Sequence, residues 1–114
     1  MPPTELAMPE NVVIILHFRE SQAPDFERLF EEEVLPLWRE FKARGKFIFA
    51  SLSRVFDDHL RKGIVDYMLY LELPGRREHD EFDEHPPFLA FLEKAKAMQP
   101  SEPEVRLGVP LFRV

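Results

Sequence analysis

The sequence predicts an α+β fold whose strands and helices follow the order β-α-β-β-α-β. Four strand-like apolar runs support this prediction, and they cover residues 12–18, 47–56, 64–73 and 104–114. Two amphipathic segments typical of helices lie between the first two runs and between the last two, at residues 24–44 and 87–98. This order is that of the split β-α-β, or ferredoxin-like, arrangement. We therefore expect a four-stranded antiparallel sheet with two helices on one face.

The first strand is apolar on both of its faces. Side chains alternate between the faces of a strand, so one face carries one set of four residues and the opposite face another. The first set is Val12, Ile14, Leu16 and Phe18, and the second is Val13, Ile15, His17 and Arg19. We expect the wholly apolar first set to face the helices. The second set becomes polar at the C-terminal end of the strand.

The first helical segment begins at Pro24, where the missing N–H has no helical partner to lose. Apolar residues then recur every three or four positions and form one stripe: Phe26, Leu29, Phe30, Val34, Leu37, Trp38 and Phe41. The pair Arg44-Gly45 is a typical C-terminal stop. Pro36 is expected to kink the helix, because its ring clashes with the carbonyl of Glu32.

The second half of the chain repeats the alternation of strand and helix. A polar loop at residues 57–63, ending in glycine, predicts a hairpin between the second and third strands. Charged residues 76–84 suit one or two helical turns, and Pro86-Pro87 restarts the chain as the second helix. Pro110 cannot donate a hydrogen bond to a neighbouring strand, so the last strand is expected at an edge or beside a bulge.

Length and composition indicate one globular domain. With 114 residues the chain can form a single core, and we expect a lead at residues 1–10 and a domain at residues 11–114. The absence of cysteine excludes disulfides and thiol chemistry, and it is compatible with the cytoplasm. The net charge of −6 opposes nucleic-acid binding. Neither a secretory signal nor a membrane-spanning apolar run is present, so we expect no membrane association.

The sheet carries more apolar surface than two helices can cover. Strand three has Tyr67, Leu69 and Leu71 on one face and Met68 and Tyr70 on the other. A monomer would expose an apolar patch larger than monomers usually have. We therefore expect a homodimer in which two sheets pack face to face.

From residue 11 to residue 114 the chain resembles the dimeric α/β-barrel superfamily. The resemblance rests on the element order, on the long first helix ending in Arg44-Gly45, and on the run DEHPPFLAFL at residues 83–92. That run is similar to the His-Pro-x-Phe start of the second helix in several branches, including antibiotic-biosynthesis-monooxygenase-like proteins. The resemblance implies a cofactor-independent oxygenase or isomerase for a small apolar or aromatic compound.

Three residues are candidates for catalysis. His85 precedes Pro86-Pro87 and either acts as an acid or base at a pocket mouth or satisfies backbone groups at the helix start. His17 and Arg19 share one face of strand one. They either bind an anionic group inside a barrel or form an intersubunit ion pair, for example with Asp66 or Glu72.

Four further residues are candidates for a substrate pocket: Trp38, Asp66, Tyr67 and Tyr70. Trp38 fits the helix core as well as a pocket, and Asp66 in mid-strand needs a cationic partner or a raised pKa. The charged stretch holding His79, Asp83 and His85 also resembles a metal site, but it lies in a solvated segment, so we predict no metal and no cofactor. A non-catalytic dimer that binds a small ligand or a partner protein is the alternative function.

Overall fold

A computed structural model describes residues 8–56 and 61–114 of the chain. One antiparallel sheet contains strands β1 (Glu10–Arg19), β2 (Phe49–Arg54), β3 (Ile64–Leu73) and β4 (Glu104–Gly108) in the order β2-β3-β1-β4. The helices are α1 (Ala23–Glu33), α2 (Leu35–Ala43), α3 (Arg76–Asp83) and α4 (Pro86–Met98), and a short 3-10 turn covers Glu20–Gln22. This order confirms the predicted ferredoxin-like α+β fold. Residues 1–7 of the expected lead and 57–60 of the expected hairpin loop lie outside the described residues.

The helices cover the face of the sheet that the alternation in β1 predicts. Val12 and Phe18 at the two ends of β1 are buried under the helices, and Ile14 and Leu16 pack against the same core. The register sets Leu16 opposite Tyr67 and Phe18 opposite Val65, so β3 contributes its odd-numbered residues to the core. β1 and β3 are the two central strands and hold the sheet together.

Aromatic rings form the centre of the core. Phe18 of β1 stacks on Phe26 of α1, with ring centroids 3.9 Å apart, and both side chains are buried. Phe26 also meets Tyr67 of β3 edge-on at 4.9 Å. A second cluster joins Phe41 of α2 to Phe82 of α3 at 5.1 Å. Edge-on and offset pairs of this kind stabilise a core beyond the area that they bury.

Pro36 divides the first helical segment into two helices. The sequence predicts one kinked helix over residues 24–44, whereas the structure has α1 ending at Glu33 and α2 starting at Leu35. Pro36 lies in the first turn of α2, where its lack of an N–H is harmless. Val34 at the junction still donates to the Phe30 carbonyl at 2.9 Å, so the two helices remain closely joined.

The last strand is shorter than predicted. β4 spans Glu104–Gly108, whereas the sequence suggested a strand over residues 104–114. Pro110 ends the pairing because it has no N–H and restricts the residue before it. β4 lies at an edge of the sheet and pairs with β1, as the proline predicted. In the described ranges, no helix is both long enough and apolar enough to cross a membrane.

Candidate functional site

A polar cluster lies on the sheet face opposite the helices, which we call the open face. Adjacent strands place His17 of β1 directly opposite Asp66 of β3. His17 Nδ1 is 2.7 Å from Asp66 Oδ1, and the two side chains are only 13% and 20% exposed. On the other side of β1, His17 Nε2 is 3.3 Å from the carboxylate of Glu104 on β4. Three strands therefore meet at one imidazole.

The short contact to Asp66 determines which nitrogen of His17 is available for chemistry. An ionised carboxylate only accepts hydrogen bonds, so Nδ1–H donates to Asp66 and a neutral ring keeps Nε2 unprotonated. Nε2 then has a lone pair with which it can accept a proton. The carboxylates of Asp66 and Glu104 lie on either side of the ring. One alternative from the sequence was an ion pair with Asp66 between subunits, whereas the contact forms within a single protomer, because β1 and β3 are neighbours in the same sheet.

The two central strands give the open face an apolar middle, flanked by Ser51 and Ser53 on β2 and by Arg106 on β4. Phe49 and Met68 are 52% and 41% exposed, and Val13, Ile15 and Tyr70 lie on the same face. Tyr70 packs against Phe49 with ring centroids 5.8 Å apart. The polar cluster therefore stands at one end of an apolar floor, an arrangement typical of sites for small organic ligands.

The chain's own C-terminal segment touches the open face only at its opposite end. There Arg113 donates a hydrogen bond to Glu72. Leu111 and Phe112 are 83% and 95% exposed, so their side chains do not cover the sheet. The apolar floor between Glu72 and His17 stays accessible in the protomer.

The remaining predicted site residues divide between the two faces. Arg19 shares the open face with His17 by strand alternation and lies exposed at the end of β1, opposite Ile64. His85 lies in the helix layer, where its ring packs edge-on against Phe41 at 5.3 Å. Its backbone carbonyl accepts hydrogen bonds from the first turn of α4, but its side chain makes no capping hydrogen bond, so the predicted structural role of the side chain is wrong. The sheet separates His85 from His17, so the structure does not bring these two candidates together.

Trp38 and Tyr67 also lie on the helix side. Trp38 of α2 is 6% exposed and meets Phe30 edge-on at 4.9 Å. Tyr67 donates its hydroxyl to Glu27 of α1 at 2.5 Å. Burial, reinforced by this hydrogen bond, raises the pKa of Tyr67 to about 12, so the hydroxyl stays protonated. Both residues take part in packing the core, whereas Asp66 and Tyr70 belong to the open face.

A second buried histidine is fixed between two carboxylates, away from the open face. His79 Nδ1 contacts Glu10 at the start of β1, and His79 Nε2 is 3.0 Å from Asp83 Oδ2. Arg76 lies 3.0 Å from the other oxygen of Glu10. The hydrogen bond to Asp83, with that to Glu10, raises the pKa of His79 against the opposing effect of burial. The ring of His79 thus ties α3 to β1.

The three side chains whose pattern resembles a metal site do not all come together. His79 and Asp83 bind each other, while His85 packs in the aromatic core. Within residues 8–56 and 61–114, no group of three or more His, Asp or Glu side chains is arranged to hold a metal ion. Sequence reasoning missed Glu10 and Glu104 as histidine partners, because each lies more than sixty residues from its histidine along the chain.

We predict that His79 makes stability depend on pH. Because the folded-state pKa of His79 is raised, its contribution is fully present below the unfolded value of about 6.5 and is lost as pH rises through the folded value. His79→Gln keeps a donor for Glu10 but cannot titrate. Urea unfolding at a fixed protein concentration should give a larger difference between wild type and variant at pH 6 than at pH 9. An equal difference at both pH values would contradict the ion-pair assignment.

Solved structures share this fold at low sequence identity. A Caulobacter crescentus protein, whose name provisionally assigns it to the antibiotic biosynthesis monooxygenases, is 16% identical with a TM-score of 0.75, and the match covers 95% of this chain and 94% of that protein. A Mycobacterium tuberculosis protein is 17% identical with a TM-score of 0.74, covering 92% and 97%. A dimeric ferredoxin-like protein from an uncultured marine organism is 15% identical with a TM-score of 0.74, covering 97% and 95%.

These matches define the class of fold. The chain has the ferredoxin-like α+β fold of these proteins, and the match extends over nearly the whole of each compared chain. No protein-family model matches the sequence, and no curated protein matches it. The likeness to solved structures therefore shows the fold alone.

Proposed function

We propose that the protein is a homodimer in which two open faces enclose a barrel. Inside it, His17 is the base of a cofactor-independent monooxygenase or isomerase for a small apolar or aromatic compound. The observation that carries this proposal is the His17–Asp66 hydrogen bond, 2.7 Å long, at the end of an apolar floor. The antibiotic-biosynthesis-monooxygenase name of a fold neighbour is consistent with this chemistry.

The dimer follows from the area that the protomer leaves uncovered. Phe49 and Met68 expose large apolar side chains next to Ile15 and Tyr70 on the open face. Packing this face against a second copy removes the area from water and also lowers the dielectric around His17. A symmetric dimer is the simplest arrangement, because one patch then covers its own copy. Its fold neighbour from a marine organism is named as dimeric.

The reaction that His17 suits is removal of a proton from carbon. Nε2 takes the proton from a C–H that a neighbouring carbonyl or aromatic ring makes acidic, and the apolar floor holds the carbon skeleton. The resulting carbanion either reacts with O2 or accepts the proton at another carbon, which separates oxygenase from isomerase. Asp66 keeps the ring in the required tautomer. Glu104, whose side chain is 60% exposed, lies between Nε2 and solvent and offers an exit for the proton.

Hydrogen exchange at an acidic carbon tests this proposal without a known substrate. We expect the protein to catalyse exchange of the methylene hydrogens of anthrone for deuterium in anaerobic D2O, followed by NMR. His17→Gln should lower this rate about 100-fold, the usual contribution of a general base, and Asp66→Asn about tenfold or more. Admitting O2 then distinguishes the two reactions, since an oxygenase consumes O2 and releases anthraquinone and water.

His79→Gln is the matched control for this experiment. It removes another carboxylate-bound histidine on the opposite side of the sheet and should leave the exchange rate within about twofold of wild type. Light scattering on each variant confirms that the assembly has not changed. If wild type and His17→Gln exchange anthrone at the same rate, the catalytic role of His17 is wrong and the non-catalytic dimer is favoured.

A further inference from the structure

A groove runs along the outer edge of β2, apart from the His17 cluster. It has a volume of about 320 Å³ and lies between α2 and the start of the strand. Leu35 and Trp38 of α2 form one wall, and Phe49 and Ala50 of β2 form the other. We call this the edge groove. Its volume is at the lower end of the range for small-molecule sites, so it suits a ligand with one or two rings.

Two cations border the edge groove. Arg39 and Lys42 are three residues apart on α2, so their side chains lie on the same face of the helix. The ammonium of Lys42 donates one hydrogen bond to the Ile48 carbonyl at 2.7 Å, which holds it at the groove. An ammonium has three donors, so two remain for a ligand. In the part of the chain that the structure describes, neither cation forms an ion pair with a carboxylate.

We propose that the edge groove binds a small aromatic carboxylate. The ring lies between Leu35 and Ala50 against the exposed edge of Trp38, and the carboxylate accepts hydrogen bonds from Arg39 and Lys42. The pattern fits an amphipathic anion because the walls are apolar while both polar side chains of the lining are positive. The positive charge is a local property of the edge groove, since the chain as a whole carries a net charge of −6. A neutral aromatic compound would leave both cations without a partner, and a bare inorganic anion would leave the apolar walls empty.

The fluorescence of Trp38 reports directly on this site, because it is the only tryptophan in the chain. The probe is 3-phenylpropanoate, which does not absorb at 295 nm, and its neutral counterpart is 3-phenylpropanamide. Titration of the full chain should change the emission of Trp38 with saturation, and the amide should bind about tenfold more weakly. Arg39→Gln/Lys42→Gln should weaken the carboxylate about tenfold and leave the affinity for the amide unchanged.

Two further variants locate the binding event. Arg28→Gln/Lys96→Gln removes the same charge from other helix surfaces and should leave the affinity for the carboxylate unchanged. His17→Gln should also leave it unchanged, so the result stands whether or not His17 is a base. Equal affinities for carboxylate and amide, or no response of Trp38 up to 10-millimolar probe, overturn the proposal. A third result would also overturn the proposal: Trp38 emission that changes with the concentration of the protein and does not change with the concentration of the probe. That result would mean that a second copy of the chain fills the edge groove.

Discussion

Replacing Met68 with glutamate is expected to split the proposed dimer into monomers. Met68 lies on β3, opposite Ile15 of β1, and is 41% exposed on the open face. If two such faces pack together, a symmetric interface contains two copies of the new carboxylate without partners. Each buried unpaired charge costs about 3 to 5 kcal/mol. The dissociation constant should therefore rise at least about a thousandfold, and the mass should fall from twice 13.5 kDa to 13.5 kDa.

Leu89→Glu is the matched control for Met68→Glu. Leu89 is 46% exposed on α4, on the helix side of the sheet, so the same substitution there should leave the dimer intact. Analytical ultracentrifugation of both variants at micromolar protein concentration measures whether each one is a dimer or a monomer. A dimeric Met68→Glu would show that the open face is not the interface. A monomeric wild type would remove the barrel and, with it, the enclosed environment proposed for His17.

The spacing of apolar residues predicted which face of the sheet the helices cover. Buried positions recur every second residue in a strand and every three or four residues in a helix. The alternation in β1 assigned Val12 and Phe18 to the helix face, and both are buried there. Two prolines also indicated where regular structure changes, because proline lacks a backbone N–H. Pro36 divides the first helical segment, and Pro110 follows a strand at the edge of the sheet. The length of the last strand was wrong, because the apolar residues after Gly108 continue the alternation without pairing with β1.

The candidate site was only partly predictable, because it depends on the register between distant strands. Opposite charge suggested that His17 and Asp66 would pair, and the register of β1 and β3 sets them side by side. No local pattern indicated that Glu104 would reach the other ring nitrogen, since that depends on the pairing of β4 with β1. The separation of Tyr67 from Tyr70 by the sheet follows from alternation alone, although both were grouped as pocket candidates.

Phe26→Ala is expected to cause a large loss of stability, because it empties the centre of the aromatic core. The ring of Phe26 is 1% exposed, and it lies within 6.4 Å of the rings of Phe18, Phe30, Tyr67 and Phe91. Removing it leaves a cavity where α1 and α4 meet the sheet, and such deletions cost about 3 to 5 kcal/mol. Urea unfolding at a fixed protein concentration measures the loss, because the stability of a dimer depends on concentration.

A variant that fails to fold would give no free energy, so Phe26→Leu provides a milder step. It keeps most of the volume and should cost about 1 to 2 kcal/mol, with the native mass retained. Phe56→Ala is the control of matched residue type, since Phe56 is 92% exposed and its loss should cost less than about 1 kcal/mol. If Phe26→Ala and Phe56→Ala destabilise equally, the stacked rings do not form the centre of the core. A graded loss from leucine to alanine at position 26 would instead show that the aromatic cluster holds α1 on the sheet and fixes the strand register behind the His17–Asp66 pair.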